Sequence, residues 1–401
     1  MDVLRGVRVV DLTMWAFVPA AGGILAHWGA DVVKVEPPTS PDPARLLGGS
    51  LEPGGASFIF KHYSRGKRGI ALDLRTTEGH EVLAKLVERA DVFLTSYLPR
   101  TRQRLGFDVD DVRAINPSII YARGTGHGPR GPEAERPGYD GAVWWCRGSL
   151  AHSGMLAAGI DEPLGAVGHG DGMSGMTLAG GICAALYKRA VTGEPSIVDA
   201  SLLGTAIWFN GMSIISSWLG EDFQAANVAI PRIERHPTNN MYRTKDGRFL
   251  ITSMLGDFDD EWVDFCQHLG VAELATDPRF LTSPDRTRNC ADAVRIFDEI
   301  FAQRTYEEWL RILVTTKGVW SPVQTAREMH DDPQTLANGF IRDVRYPQST
   351  IRLPVPPVLF DEEGGDPPLA PDFGQHTDEV LAELGYDTAA VARLHETGVV
   401  A

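Results

Sequence analysis

The sequence predicts an α/β fold, with an open parallel sheet in a large lobe and a smaller α+β lobe set within it. Three observations carry this expectation. Short β-branched runs alternate with helical segments through the first third of the chain, the pattern of parallel strands joined by crossover helices. A charged, differently patterned stretch follows the midpoint, and the C-terminal sequence then resumes the style of the first lobe. The chain has 401 residues, against roughly 150 for a typical domain, which suits two lobes and a core that needs no staples.

The first strand is expected over 7–12, followed by a helix over 19–28 with proline in its first turn and a second strand over 31–36. The unit repeats as strand 69–74, helix 76–89, strand 91–95, short helix 109–115 and strand 118–122. Ligands in such sheets sit outside the carboxyl ends of the strands. From 124 to 171 the sequence is rich in Gly, Pro, Trp and charge, as functional loops are. A buried helix over 173–189, a strand over 196–200 and a largely apolar helix over 202–219 carrying Trp208 and Trp218 follow. A hairpin turning at Lys245-Asp246-Gly247 opens the small lobe, whose helices are expected over 257–269, 288–303 and 306–314. Strand-and-proline sequence over 342–360, a Pro/Gly/acid linker over 362–371 and helices over 375–384 and 388–396 complete the chain. The domain plan is therefore 1–220 for the first part of a large domain, 221–236 for a linker, 237–325 for a small domain, and 326–401 for the return.

A net charge of −15, with 43% hydrophobic and 23% charged residues, describes an ordinary globular chain. It argues against nucleic acid as a partner, and any phosphorylated ligand must meet a local basic patch. Cys146, Cys183, Cys266 and Cys290 are far apart and form no C-x-x-C pair, so neither a metal site nor a disulfide framework is expected. Reduced thiols, no signal peptide at the N-terminus and no apolar run of about 18 residues point to a cytoplasmic protein without membrane partners.

Asp171, between Gly170 and Gly172 at the end of Gly-His-Gly-Asp-Gly, is the first candidate for chemistry. It reads either as a helix N-cap or as a carboxylate that a ligand can approach; a helix N-terminus would also hold it ionised as a nucleophile. Residues 126–131 match G-x-G-x-x-G, but Pro129 and the charge beyond it open no helix, so the dinucleotide fingerprint lacks its context. His127 and His169, each between glycines, are turn residues or bases. Lys61, Arg65, Lys67, Arg68 and Arg75 place five cations against Asp73 within fifteen residues, joined further on by Arg102 and Arg104. They form either a solvated surface or a phosphate-binding edge.

Several segments resemble one family. Leu4-Arg5-Gly6-Val7-Arg8-Val9-Val10-Asp11-Leu12, Gly29-Ala30-Asp31-Val32-Val33-Lys34-Val35-Glu36-Pro37, and Lys67-Arg68-Gly69-Ile70-Ala71-Leu72-Asp73-Leu74 are similar to the class III CoA-transferases, the formyl-CoA, carnitine and bile-acid CoA-transferase family. So are Asn116-Pro117-Ser118, Pro137-Gly138-Tyr139-Asp140, Gly170-Asp171-Gly172, Asp277-Pro278-Arg279-Phe280 and Gly374-Gln375-His376-Thr377, in order along the chain. The resemblance implies a Rossmann-like large domain with an inserted small domain, and two subunits interlocked as a homodimer. It implies acyl-CoA and carboxylic acid substrates, with no permanently bound cofactor. Asp171 takes the place of the nucleophile that forms an aspartyl anhydride and then an aspartyl-CoA thioester.

The resemblance further implies CoA contacts at Lys67, Arg68, Leu72, Arg75, Ser96, Tyr97, Arg104 and Arg136, and substrate contacts at Trp15, Ala16, Phe17, Tyr139, Trp145, Gly170 and Gly172. Ala16 stands where formyl-CoA members carry glutamine, and His236-Pro237-Thr238-Asn239-Asn240 replaces their glycine-rich lid. A medium or bulky aryl acyl group is therefore expected, with Trp15, Phe17, Trp144 and Trp145 lining either the pocket or the core. The α-methylacyl-CoA racemases of the same family are the alternative. Their histidine falls on Tyr139, whose ordinary pKa near 10 suits a neutral base poorly. A CoA-binding protein without turnover is the third reading.

Overall fold

Six short strands rich in β-branched and aromatic residues form one sheet: β1 (Arg8–Leu12), β2 (Asp31–Glu36), β3 (Arg68–Ala71), β4 (Val92–Thr95), β5 (Ile120–Thr125) and β6 (Ile197–Ser201). The computed structural model describes residues 2–49, 57–163, 168–223, 230–255, 259–347 and 349–401. All five pairings are parallel, in the order β3-β2-β1-β4-β5-β6, as in dinucleotide-binding sheets. The strands β1 to β5 are buried on both faces, as in parallel sheets covered by helices. Val10, Val33, Phe93 and Tyr121 face one apolar layer, while Val9, Val32, Val92 and Ile120 face the other.

The helices here are α1 (Phe17–His27), α2 (Phe58–Tyr63), α3 (Thr77–Glu88), α4 (Pro99–Arg104), α5 (Val109–Ile115), α6 (Leu150–Ala158), α7 (His169–Thr192) and α8 (Leu202–Phe209); α3 and α5 pack on one face of the sheet, α1, α7 and α8 on the other. The patterns locate β2 and α5 as expected, whereas α2 and α4, each of six residues, carry too few turns to show a period. The expected buried helix is α7, buried along one face only: Ser174, Leu178, Ile182 and Ala185 face inward, and Tyr187 and Val191 are exposed. The helix expected over 202–219 is two helices, α8 and Gly211–Trp218, divided at Asn210. The Asn210 amide donates to Ser153 Oγ at 3.1 Å instead of facing solvent. Trp208 and Trp218 are 86% and 89% exposed.

By compactness one unit comprises 1–154, 162–211 and 332–401, and a second 155–161 and 212–331, where the sequence plan has a small domain over 237–325. The second unit has a three-stranded antiparallel sheet, Met241–Arg243, Phe249–Thr252 and Trp320–Pro322, with an aromatic core of Tyr242, Trp262, Phe265, Phe297, Phe301 and Trp309. The C-terminal helices Thr377–Glu383 and Thr388–Glu396 belong to the first unit, where Val380, Leu381 and Leu394 fill the layer below β3 and β1. All four cysteines are free. Among the described residues no helix is long and apolar enough to cross a membrane.

Beneath the carboxyl ends of β1 and β2 lie six buried charges in three pairs: Lys67 Nζ to Asp11 at 2.7 Å, Lys34 Nζ to Asp42 at 2.9 Å, and Arg45 Nη2 to Glu36 at 2.6 Å. Gly22 on α1 makes room for the first pair, because a Cβ there would overlap Asp11 Oδ2. Breaking a buried pair strands its partner's charge, so Asp11→Ala is expected to cost about 3–5 kcal/mol of stability in denaturant unfolding. Adding Lys67→Met should restore much of it, and a double variant no more stable than Asp11→Ala would contradict the pairing.

Candidate active site

Two cavities open side by side along the carboxyl edge of the sheet. One, about 270 Å³, is lined by Met14, Trp15, Phe17, Ser96, Tyr97, Gly124, Tyr139 and Asp171, among others, outside β1, β4 and β5. The other, about 210 Å³, is lined by Glu36, Leu72, Arg75, Tyr97, Arg104 and Phe107, among others, outside β1, β2 and β3. Met14, Tyr97 and Thr101 line both. The strand order reverses between β1 and β4, where parallel sheets bind ligands.

Asp171 lies in the first turn of α7 and is not its cap. Gly168 occupies the cap position in the left-handed region, with φ of 82° and no side chain to take up the exposed amides. Asp140 does so instead: its Oδ2 accepts the Asp171 N–H at 2.9 Å, and its buried Oδ1 has no hydrogen-bond partner among the described residues. Burial, and then the Asp140 charge, push the Asp171 carboxyl up to about 7. These effects outweigh the helix N-terminus, which the sequence reading expected to keep the group ionised. The flanking glycines have different surroundings. Neither has positive φ; a Cβ on Gly170 would overlap the Trp144 indole, so that glycine serves packing, while Gly172 is open as far as Tyr63 Oη at 3.6 Å.

The loop after β1 is pinned from below. Lys34 Nζ donates to Thr13 O at 2.7 Å, Met14 N–H to Ser96 Oγ at 2.9 Å, and Trp15 N–H to Asp42 Oδ1 at 2.9 Å. These bonds hold Trp15 at φ 72°, a conformation a bulky residue adopts only when its surroundings impose it. Its indole meets the Tyr139 ring edge-on at 5.3 Å between centroids. Phe17 lines the same cavity from α1, and Ala16 is the half-buried residue that precedes the helix. Trp144 is buried in the core, and Trp145 packs against it, stacked at 6.4 Å.

The residues expected at CoA scatter more widely. Leu72, Arg75, Tyr97 and Arg104 come together at the smaller cavity, and Ser96 lines its neighbour. Arg75 is paired with Asp73 at 2.7 Å yet remains exposed. Lys67 is buried against Asp11, and Arg68 sits at the amino end of β3 among Asp31, Glu379 and Glu383. Arg136 is exposed and bonded to Glu133 at 2.7 Å. Lys61, Arg65 and Arg102 are buried too, so most of the cationic run forms neither a solvated face nor a phosphate edge. His127 packs near Gly138, 3.7 Å from Glu133, and His169 is exposed at the start of α7; neither lines the Asp171 cavity.

Sequence reasoning did not single out Tyr63, Asp42 or Asp140 as site residues; Asp140 stood in view beside Tyr139. A native carboxyl that keeps its proton to about pH 7, when an unfolded aspartate loses it near 4, stabilises the fold below pH 4 and loses that contribution as pH rises through 7. Asp171→Asn is therefore expected to be more stable than the parent at pH 8, by about 4 kcal/mol, and about equal at pH 4. Equal denaturation midpoints at pH 8 would sink this account of the site.

Comparison with known proteins gives a consistent answer. The family model described as CoA-transferase family III matches residues 4–377. The chain is 30% identical over 404 residues to (R)-2-hydroxy-4-methylpentanoate CoA-transferase of Clostridioides difficile, covering 99% of each chain. It is 27% identical to cinnamoyl-CoA:phenyllactate CoA-transferase of Clostridium sporogenes, covering 98% of this chain and 96% of that one. Among solved structures, a CAIB/BAIF family protein from Brucella suis superposes with a TM-score of 0.80 at 28% identity, over 95% of this chain and 99% of the other. The chain belongs to CoA-transferase family III and is an enzyme of that class.

Proposed function

We propose that this enzyme moves CoA from an acyl-CoA donor to a carboxylic acid acceptor, with Asp171 as the covalent nucleophile. The observation that carries the reading is a half-buried carboxylate at the switch point of a parallel sheet, lining an aromatic cavity beside one with two exposed guanidinium groups. An Asp171 oxygen attacks the thioester carbon, the C–S bond breaks, and CoA leaves as thiolate, giving an aspartyl-acyl anhydride. The thiolate attacks the aspartyl carbonyl, releasing the donor acid and forming an aspartyl-CoA thioester. The acceptor carboxylate attacks that thioester, and the returning thiolate takes the acceptor acyl group and frees Asp171. Each step exchanges one acyl bond for another, which is what covalent catalysis supplies here.

Arg75 and Arg104 suit the phosphates of CoA, as guanidinium forks do. Trp15, Phe17 and Tyr139 favour a medium or bulky aryl acyl group over formate or oxalate. The branched and aryl acids in the names of the two clostridial relatives agree with this. The exposed apolar side chains Trp208, Met212, Ile215 and Trp218 support a homodimer, since monomers rarely leave such surface open. The free thiols suit a cytoplasmic setting.

Asp171→Ala should abolish transfer and leave CoA binding largely intact. Hydroxylamine trapping with acyl-CoA should mark the Asp171 peptide by mass spectrometry; turnover in the alanine variant would refute the nucleophile. Replacing Arg104 with alanine should raise KM for acyl-CoA about tenfold, the loss of roughly 1.4 kcal/mol, with kcat retained. With a chiral 2-methylacyl-CoA in deuterated water and no acceptor, no α-deuterium should enter. Deuterium incorporation would favour racemase chemistry.

A further inference from the structure

We infer that Tyr63 is a further catalytic residue, donating its phenolic hydrogen to the oxygen that gains negative charge when Asp171 attacks the thioester. The inference rests on Asp171 as nucleophile and adds the donor that this step needs.

Tyr63 is the last residue of α2, and the packing fixes where it points. Ser57 caps the helix, its Oγ accepting the Phe60 N–H at 3.2 Å. On α1, Gly23 lets the Tyr63 carbonyl approach so closely that a Cβ would stand 2.6 Å from it. One face of α7 sits on the same helix, where Gly175 packs against Ala20 and the Phe17 carbonyl. Helix α1 thus registers both Tyr63 and Asp171. The phenol reaches the first turn of α7 at Gly172, the residue after Asp171.

Its hydroxyl is free to donate. Among the described residues no group hydrogen-bonds it, so no internal partner competes for its proton. Burial and the nearby charges of Asp171 and Asp140 push it up to about 12, against a smaller opposing effect of Arg65, so it keeps that proton at any working pH. A donor is needed because negative charge develops on the thioester oxygen as the tetrahedral intermediate forms. As the C–O bond to Asp171 forms, the carbonyl electron pair moves onto oxygen, where the Tyr63 O–H stabilises it. When the carbonyl re-forms, the C–S bond breaks and thiolate departs, with the phenol unchanged. Such donors act on developing charge and on the ground state little.

The test compares Tyr63→Phe and Asp171→Ala with the parent, following CoA release in a single turnover and steady-state transfer. Tyr63→Phe should slow acylation of Asp171 and kcat by about 100-fold, the usual effect of losing one such donor. KM for acyl-CoA should stay within about threefold, with melting temperature unchanged because no internal bond is lost. A Tyr63→Phe enzyme with kcat within about twofold of the parent, or with its loss confined to KM, overturns the inference. A lower melting temperature at parental kcat also overturns it, showing a structural role. If Asp171→Ala is inactive while Tyr63→Phe is not, only this inference fails; if Asp171→Ala turns over, the nucleophile reading fails with it.

Discussion

The site depends on a balanced set of buried charges. Asp11, Glu36 and Asp42 are matched one to one by Lys67, Arg45 and Lys34 beneath the carboxyl ends of β1 and β2. Buried ion pairs add little net stability, because desolvation consumes most of their attraction. They do specify geometry. Lys34 spans Asp42 and the Thr13 carbonyl, and Asp42 takes the Trp15 amide, so a strained loop is set from below by buried groups that are themselves fixed. The strain in Trp15 is affordable only on such a footing.

Helix α1 transmits this placement sideways. Gly22 admits the Asp11–Lys67 pair, Gly23 admits α2, and Gly175 of α7 meets α1 at the Ala20 methyl and the Phe17 carbonyl. One helix therefore contacts the charge cluster, the helix bearing Tyr63 and the helix bearing Asp171. Small residues along α1 fix relative positions that flexible side chains would leave adjustable. This close packing also buries Asp171 beside Asp140, and so raises its proton affinity.

The regular parts of this architecture were legible in the sequence because period and burial coincide there. In β4 a short apolar run, and in β2 the valines on either side of Lys34, mark strands buried on both faces, and in α5 the acidic first turn and Asp108 mark a helix start. Asp171 was legible from its glycine neighbours, although the reasons differ: Gly170 exists for Trp144. What the sequence hid is pairing at a distance. Lys67 and Arg65 looked like surface cations because nothing local shows that Asp11, 56 residues earlier, faces Lys67 in the core. Tyr63 was invisible because α2 has too few residues for a pattern and its hydroxyl acts across to α7. The chain is acidic overall, yet few of its clustered cations reach the surface, so Arg75 and Arg104 stand out by exposure and not by number.

A carboxyl near 7 has consequences for the proposed route that an ordinary aspartate lacks. Nucleophilicity rises with basicity, so Asp171 attacks a thioester more readily than a substrate carboxylate with a pKa near 4. In the anhydride the weaker base leaves more easily. Thiolate attack on the aspartyl carbonyl, which expels the donor acid, is then favoured over attack on the acyl carbonyl, which would return the starting materials. The same preference opposes the last step, where Asp171 must itself leave. A proton affinity far above 7 would drive the first half-reaction and stall the second, besides leaving the group protonated at neutral pH. Burial beside Asp140 sets a middle value, and a hydrogen-bond donor that stabilises each tetrahedral oxyanion lowers both barriers without shifting that balance.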